Sequence, residues 1–404
     1  MNVYHILIAT CFGFFTSCAA ADAGDCKEFA VSSYLREVRS RYDTFINEAK
    51  SSPVHIVMGN EAADLDSISA AVARAKHLSL KSTNSEDLFL PVINISREEL
   101  PLRRDAEFLF TLLNINSESL LFTDDIPFDS LAANGQLKLH LVDHNALAVH
   151  QLHFREQVVS IIDHHADEKM DYPNCLENDK VVASVGSATS LVASNLLTDC
   201  YAELDSSWAR LMLAPILLDT LNLQSSSRTT QLDLDVAQRL LDLSKFDKFA
   251  SNAFYENLLK ARSDTDGFTP DMLMRKDMKR YQEGLCAYTI SSLPYGIKFE
   301  WYRDSNLQAI LQGFRTKQAV PIVMIIELSA ENTGDQYRRL HVHCESPEIL
   351  EHLLQYFTEN AAISDLVSLE RADLSALTAT WVLPNFVSRK LLQPKLKLGE
   401  LFAN

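Results

Sequence analysis

The 404-residue sequence lacks several features that mark common classes of protein. Its seven cysteines form no Cys-x-x-Cys pair and no zinc-type spacing, so they indicate core or surface thiols. Basic residues are scarce: 37 lysines and arginines stand against 54 aspartates and glutamates, which gives a net charge of −17. This balance argues against binding of nucleic-acid polymers, which usually requires a basic surface. Internal repeats and low-complexity tracts are also missing from the sequence, which leaves ordinary globular domains.

The acidic balance has a second consequence, because an anionic substrate would be repelled at long range. Binding such a substrate would require bound metal ions or a local cluster of basic residues. The hydrophobic fraction of 47% is ample for a core, and the length favours two domains.

The first 24 residues differ in character from the rest of the chain. Residues 6–20 are almost continuously apolar, and Ala21-Asp22-Ala23 has the small residues typical of a cleavage site. This pattern resembles a secretory signal peptide, although lysine and arginine are missing before the apolar run. The run is too short for a comfortable span, so no stable membrane span is expected. Residues 1–24 are therefore either a signal for the secretory pathway or an apolar extension lying on the domain.

Residues 54–67 organise the chain around a buried-strand pattern followed by two acids. Val54 to Met58 reads as the strand, and Asp64 and Asp66 follow it in a loop. Apolar residues then recur at helical spacing from Ile68 onward. Open α/β sheets bind their ligands at the carboxyl ends of strands, where this loop would lie. The two acids are either ligands at such a site or caps of the following helix.

Two later apolar runs end in similar groups. Residues 139–145 end in Asp143-His144-Asn145, and residues 158–165 end in Asp163-His164-His165. Because crossover connections bring each parallel strand back in the same direction, all these strand ends would lie at one edge of a sheet. Helix capping does not explain a pair of histidines. Carboxylates with imidazoles suit Mn²⁺, Mg²⁺, Fe²⁺ or Zn²⁺, so the pattern predicts a metal site.

The remaining patterns predict an α/β fold class. An N-terminal domain would hold a mostly parallel sheet flanked by helices, and a smaller α+β C-terminal domain would follow. Residues 264–270 contain turn-forming residues and are the predicted linker, so the domains are expected at 25–263 and 264–404. Further strands are predicted at 88–93, 120–123, 284–290, 321–328 and 338–343, and helices at 29–50, 105–113, 187–197, 208–221, 249–262 and 347–357.

Two further features concern charge. Asp219 closes an apolar helical pattern, where an isolated buried carboxylate would be very costly, so it needs a partner such as Arg210 or Arg228. Basic residues cluster at 275–280 and at 388–390 in the second domain. They are either solvated surface charge or binding groups for an anion.

The ordered motifs resemble those of the DHH phosphoesterases. Asp64-Leu65-Asp66, Asp143 and Asp163-His164-His165 carry the resemblance, and stretches 59–67 and 141–145 are similar to the branch of eukaryotic exopolyphosphatases and prune proteins. The second domain resembles the DHHA2 domain, which that branch shares with family II inorganic pyrophosphatases. DHH nucleases and cyclic-dinucleotide phosphodiesterases carry a glycine-rich motif there, which this sequence lacks. The resemblance covers the chain from about residue 54 to near its C-terminus.

The resemblance implies a centre for two divalent cations, Mn²⁺ or Mg²⁺, with Asp143 shared between them. Family II pyrophosphatases have a histidine at the position of Asn60, whereas the exopolyphosphatase and prune branch has asparagine, which favours tolerance of Mg²⁺. The implied metal ligands are Asp64, Asp66, Asp143, His164 and Asp219; the candidate ligands or orienting neighbours are Asn60, Asp163 and His144; the implied catalytic residues are His165, Arg389 and Lys390; and the implied substrate contacts are Lys279, Ser388, Arg389 and Lys390.

The function that follows from this resemblance is an exopolyphosphatase, a hydrolase of phosphoric anhydrides. It would release terminal phosphate from short inorganic polyphosphate by metal activation of water. One alternative is a prune-like binding or regulatory protein with weak phosphohydrolase or nucleotide phosphodiesterase activity. Another is a family II inorganic pyrophosphatase. The expected partners are polyphosphate or pyrophosphate, protein partners are left open, and the family implies a cytoplasmic location.

Overall fold

The computed structural model describes residues 30–293, 306–330, 336–364, 366 and 371–399. The predicted signal or apolar extension at residues 1–24 lies outside this part of the chain. No helix within the described ranges is long and apolar enough to cross a membrane.

The first domain is built on a six-stranded sheet in which every neighbouring pair is parallel, as the sequence predicts. The strand order is β3-β2-β1-β4-β5-β6, so the first strand lies in the middle. Both faces of the sheet are covered, which explains why its strands read as continuous apolar runs. The strands are β1 (Val54–Met58), β2 (Leu88–Ile93), β3 (Leu121–Phe122), β4 (Leu137–Val142), β5 (Val158–Asp163) and β6 (Lys180–Val182).

Helices pack on both faces of this sheet. One core forms around the fully buried Trp208, and the second lies between the other face of the sheet and the first helix, where Tyr42 and Phe45 are buried. The helices are α1 (Val31–Asn47), α2 (Leu65–Lys81), α3 (Arg104–Leu112), α4 (Phe128–Ala133), α5 (Ala188–Asp199), α6 (Ser206–Asp219), α7 (Gln231–Ser244) and α8 (Lys248–Ser263).

The second domain contains a six-stranded mixed sheet of order β11-β12-β10-β9-β8-β7. Strands β8 and β9 are parallel, and the other neighbours are antiparallel. The strands are β7 (Met278–Glu283), β8 (Cys286–Ser292), β9 (Ile322–Ala330), β10 (Gln336–Cys344), β11 (Arg371–Ser375) and β12 (Thr378–Leu383). The helices are α9 (Pro270–Lys276), α10 (Leu307–Gln318), α11 (Pro347–Glu359), α12 (Ala361–Ser364) and α13 (Arg389–Leu392).

The fold class is thus confirmed, and the predicted linker coincides with the loop between α8 and α9. The division into domains at 25–263 and 264–404 stays a prediction. Seven described elements of the second domain were not predicted: strands β7, β11 and β12, and helices α9, α10, α12 and α13. Strand β7 was missed because its sequence, Met-Lys-Arg-Tyr-Gln-Glu, lacks the apolar alternation by which a strand is recognised.

Contacts at the start of the second domain fix it against the first. Arg275 forms an ion pair with Glu99, and Lys276 Nζ donates a hydrogen bond to the carbonyl of Leu102 at 2.8 Å. The Lys276 ammonium also lies 5.7 Å from the ring centroid of Phe268. Strand β7 begins two residues after this anchor, so its edge lies beside the loop that follows β1.

Candidate metal centre

The loop after β1 is shaped by Gly59. A Cβ atom on Gly59 would lie 2.3 Å from Cβ of Ser67, so only glycine lets the strand end approach α2 this closely. The Ser67 hydroxyl accepts a hydrogen bond from the backbone N–H of Asn60 at 3.0 Å and donates one to Asp143 Oδ2 at 2.6 Å. The close approach therefore brings the start of α2 onto the end of β4.

Asp64 caps α2, because its Oδ1 accepts a hydrogen bond from the Ser67 N–H at 3.0 Å. Within the described ranges, hydrogen bonds to the Asp64 carboxylate use only Oδ1, which leaves Oδ2 for a cation. The capping interpretation and the ligand interpretation of Asp64 are therefore compatible.

Asp66 is buried, and hydrogen bonds from the protein itself fix its carboxylate in position. Its carboxylate accepts hydrogen bonds from Ser187 Oγ at 2.6 Å and from the N–H groups of Ala188 and Thr189, both at 2.8 Å. These donors form the start of α5, where the helix dipole favours a negative charge. Asp66 thereby ties α2 to α5.

Asp143 occupies the centre of the cluster and is 2% exposed. Its φ of 59° lies in the left-handed region, which costs a non-glycine residue free energy and is typical of functional sites. Its Oδ2 accepts hydrogen bonds from Ser67 and from Asn60 Nδ2, the latter at 2.8 Å. Its Oδ1 lies 3.2 Å from His164 Nε2 and 3.6 Å from His165 Nδ1.

Asn60 is engaged at both ends of its amide. Its Oδ1 accepts a hydrogen bond from the Ala62 N–H at 2.8 Å, while its Nδ2 donates to Asp143. The oxygen is the only atom of this side chain suited to a cation, and it is already in use. The geometry therefore favours Asn60 as a residue that orients Asp143.

The two histidines that follow β5 are oriented by different acceptors. His164 Nδ1 donates to the Val185 carbonyl at 3.1 Å, which turns its Nε2 toward Asp143 and, at 3.9 Å, toward Asp66 Oδ2. His165 Nδ1 lies 2.8 Å from Asp163 Oδ1. Ligand atoms of Asp143, His164 and His165 all lie within 4.8 Å of one another, which forms a candidate metal site.

The neighbouring residues Asp163 and His144 support this arrangement. Asp163 is fully buried and accepts hydrogen bonds from the Asn145 amide and from the backbone N–H of His164. His144 Nδ1 donates to the Val142 carbonyl at 2.9 Å, and its Nε2 is buried without a hydrogen-bond partner. Burial lowers the pKa of His144 to about 4, so this nitrogen keeps its lone pair at neutral pH. Such an orphaned lone pair suits a cation or a donor from a ligand.

Asp219 ends α6 and is only 25% exposed. Its described ion pair is with Arg262 of α8 at 3.9 Å, rather than with Arg210 or Arg228, the partners considered from the sequence. Burial, with the charge of Asp66, raises the pKa of Asp219 well above its ordinary value. This shift records negative charge that Arg262 does not fully compensate.

The electrostatics of the cluster fit a cation. Burial, with the charges of Asp66 and Asp64, raises the pKa of Asp143 to about 6. Burial alone would lower the pKa of His164, but the hydrogen bond to Asp143 and the charge of Asp66 raise it to about 10. The centre therefore holds excess negative charge, and divalent cations that accept oxygen and imidazole ligands would relieve it.

The predicted phosphate-binding residues lie in the second domain and differ in their surroundings. Lys279 lies on β7 and is half-buried. Its positive charge acts to lower the pKa of both Glu61 and His144 of the first domain. Arg389 Nη2 lies 2.6 Å from Asp277 Oδ1. Lys279 and Arg389 are thus brought toward the loop after β1, and their charges reach Glu61.

The other two predicted substrate contacts, Ser388 and Lys390, lie near the start of α13. Ser388 is half-buried at the residue before α13, and Lys390 is exposed in its first turn. Neither has a described contact with the cluster around Asp143. Their assignment as substrate contacts stays a prediction.

Comparisons with known proteins define the family. Residues 55–216 match the model of the DHH family N-terminal domain, and residues 256–397 match that of the DHHA2 domain. The chain is 30% identical over 367 residues to exopolyphosphatase PRUNE1 of Rattus norvegicus, an alignment that covers 90% of this chain and 78% of the rat protein. The chain belongs to the DHH superfamily, in its exopolyphosphatase and prune branch.

Other members of the superfamily show the same relationship. Exopolyphosphatase PRUNE1 of Homo sapiens is 33% identical over 297 residues, which cover 73% of this chain but only 64% of the human protein. A Brevibacillus brevis protein named as a manganese-dependent inorganic pyrophosphatase is 24% identical, with 67% of this chain and 80% of that protein covered. The crystal structure of a Methanococcus jannaschii protein described as a family II inorganic pyrophosphatase shares the fold, with a TM-score of 0.56, 18% identity and coverage of 85% and 99%.

Membership in the superfamily confirms the resemblance seen in the sequence. The names of these relatives are those of phosphohydrolases, and one of them is named for its dependence on manganese. Together with the acidic and histidine cluster, they suggest dependence on a divalent metal ion. The assignments of individual residues stay predictions.

Sequence reasoning missed three contributors to the centre: Ser67, Asn145 and Arg262. Ser67 and Asn145 lie inside recognised motifs, but their partners Asp143 and Asp163 are 76 and 18 residues away. Arg262 lies on a helix with no motif at all. The only sequence signal for the first two was a polar residue beside the motif acids.

Proposed function

We propose that this chain is a metal-dependent exopolyphosphatase that releases terminal phosphate from short inorganic polyphosphate. The observation that carries the proposal is the convergence of Asp143, His164 and His165 at the ends of adjacent parallel strands, opposite basic residues of the second domain. The exopolyphosphatase names of the relatives support the choice of substrate. An anionic substrate requires cations here because the chain carries a net charge of −17.

Five side chains are proposed to hold two divalent cations, Mn²⁺ or Mg²⁺, with Asp143 shared between them. Its two oxygens already face different groups: Oδ2 faces Asn60 and Ser67, and Oδ1 faces the histidines. When bound, such a pair of cations supplies an activated water and neutralises phosphoryl oxygens. The proposed ligands are Asp64, Asp66, Asp143, His164 and Asp219.

His165 is proposed to act on the leaving phosphate. Its Nδ1 is held on Asp163, so its Nε2 is the atom that would donate a proton or a hydrogen bond to the substrate. Asp163 accepts this contact through Oδ1. Because Asp163 is buried and also accepts hydrogen bonds from Asn145 and the His164 N–H, it fixes the orientation of the His165 ring. This role requires a substrate oxygen within hydrogen-bond distance of Nε2.

Lys279, Arg389 and Lys390 are proposed to bind the phosphates of the chain, with Ser388 beside them. Arg389 offers a planar fork that suits phosphate oxygens, and the lysines act as point charges. Arg389 is oriented by Asp277, through the side-chain contact and through a hydrogen bond from Nη1 to the Asp277 carbonyl at 2.8 Å. The basic residues would neutralise charge that develops during phosphoryl transfer.

The test is a panel of substrates with purified protein, assayed with Mg²⁺ and separately with Mn²⁺. Phosphate release should be fastest from tripolyphosphate, slower from pyrophosphate, and lost on chelation of metal. Preference for pyrophosphate would instead indicate a family II pyrophosphatase. Hydrolysis of a nucleotide phosphodiester alone, or of nothing on the whole panel with metal bound, would favour a prune-like binding protein and contradict the proposal.

Asn60→His should tighten Mn²⁺ binding and shift activity toward pyrophosphate. An imidazole would replace an amide whose oxygen is already committed to Ala62, and it offers a nitrogen to a cation beside Asp143. Pyrophosphate is the smallest substrate, so its turnover depends most on tightly held metal. A calorimetric Mn²⁺ titration and the ratio of pyrophosphate to tripolyphosphate rates measure the effect.

The matched control for this substitution is Asn134→His, which adds an imidazole at an exposed site after α4. It should change neither metal affinity nor the ratio of rates. Unchanged values for both quantities in Asn60→His would mean that residue 60 does not face the metal.

A further inference from the structure

Glu61 lies in the loop after β1, directly beside the residue that orients Asp143. Its side chain reaches the second domain, where Oε1 accepts a hydrogen bond from the backbone N–H of Arg280 at 3.3 Å. Strand β7 forms the edge of the described sheet, so the outward N–H groups of this strand have no neighbouring strand to bind. Glu61 therefore places a carboxylate at the junction of the two domains.

Two of the basic residues proposed to bind phosphate, Lys279 and Arg389, lie close enough for their charges to affect the pKa of this carboxyl group. Burial raises the pKa of Glu61, and the positive charges of Lys279, Arg389 and Arg280 act against that rise. None of the described ion pairs joins Glu61 to one of these three side chains. The three basic side chains are therefore not held in place by Glu61. An anion entering the cleft would meet the cations and the carboxylate together.

We infer that Glu61 determines the charge selectivity of this cleft, by opposing the binding of weakly charged anions such as inorganic phosphate. The inference rests on the proposed function. A tripolyphosphate carries enough charge and enough oxygens to bind several cations at once, so the repulsion from one carboxylate is outweighed. A single phosphate engages fewer cations and meets the same repulsion, so it leaves readily. Glu61 would thus favour polyphosphate substrates over single phosphate, and would favour the release of the phosphate product.

A purely structural role for Glu61 predicts different results. Glutamine keeps an Oε1 that accepts the Arg280 N–H but removes the charge, whereas alanine removes both. If Glu61 is only a bridge between the domains, Glu61→Gln should behave like wild type and Glu61→Ala should be impaired. If its charge matters, both variants should bind phosphate more tightly. The matched control is Glu98→Gln, which removes an exposed charge from the same domain.

The experiment measures binding of inorganic phosphate to the metal-loaded full chain by calorimetry, together with phosphate inhibition of tripolyphosphate turnover. Removal of one like charge in a partly buried cleft should tighten phosphate binding roughly tenfold in Glu61→Gln, with Glu98→Gln unchanged. The inhibition constant for phosphate should fall by a similar factor.

Three results would overturn the inference. Unchanged phosphate affinity in a Glu61→Gln variant that still hydrolyses tripolyphosphate would refute this inference and leave the proposed function intact. Absence of polyphosphate turnover in the wild type would refute the proposed function and this inference with it. Weaker phosphate binding in Glu61→Ala with a wild-type Glu61→Gln would assign Glu61 to the bridge between domains.

Discussion

Asp143→Ala should abolish phosphate release from tripolyphosphate. A shared ligand serves both proposed cations, so its loss should exceed the roughly 10- to 100-fold effect of removing a neighbour that merely orients a ligand. Metal content measured after dialysis should fall in parallel. The control Asp129→Ala removes a carboxylate that is 90% exposed and should leave turnover intact.

The same substitution should not unfold the metal-free protein. The folded-state pKa of Asp143 is raised from 3.8 to about 6, so the unfolded chain releases this proton at lower pH than the native protein does. Asp143 therefore costs the metal-free protein stability as pH rises through that window, and the alanine variant should lose this dependence. Thermal unfolding of the metal-free wild type and the Asp143→Ala variant between pH 4 and 7 measures this pH dependence of stability. Near-normal turnover in Asp143→Ala would mean that Asp143 is not a shared ligand.

Arg389→Ala should raise KM and lower kcat for tripolyphosphate without releasing metal. Loss of a charged contact in a desolvated site costs roughly 2–5 kcal/mol of transition-state stabilisation. Steady-state kinetics and metal content, measured on the same preparation, separate this effect from damage to the metal centre. Arg155→Ala is the matched control, because Arg155 pairs with Asp171 on the surface, where the two side chains are 52% and 83% exposed.

Part of the loss in Arg389→Ala would come from Asp277, which would be left without its partner. Asp277→Asn weakens that pair while Arg389 remains, and the double variant closes a thermodynamic cycle. If Arg389 binds phosphate directly, Asp277→Asn should cost much less than Arg389→Ala. Equal losses of tripolyphosphate turnover in the two single variants would mean that Arg389 only stabilises the start of strand β7 through Asp277.

The first domain was largely predictable because its strands are buried on both faces. Continuous apolar runs such as Val54–Met58 and Val158–Asp163 mark strands wherever they occur, and the motif acids at their ends indicate one shared edge. The predicted helices of this domain lie within about three residues of their observed limits, since frayed helix ends carry weak signals. Helices α4 and α7 and strand β6 were not predicted. Helix α10, by contrast, follows residues outside the described ranges and was not recognised.

The contacts that shape the centre were not predictable, since they join residues far apart in the chain. The sequence indicates that Asp219 needs a partner, but Arg262 lies on another helix and has no local pattern to reveal it. The same holds for Glu61 and Arg280, which are 219 residues apart. The engagement of both ends of the Asn60 amide likewise follows only from the loop conformation.

The edge position of β7 has a consequence for how the protein is made. The surface that covers this edge belongs to the first domain, which leaves the ribosome first and is available when β7 emerges. A fragment that begins at the linker would present the same edge without its cover, and uncovered edges pair readily with other chains. We therefore expect cleavage between α8 and α9 to produce a second domain that is prone to self-association.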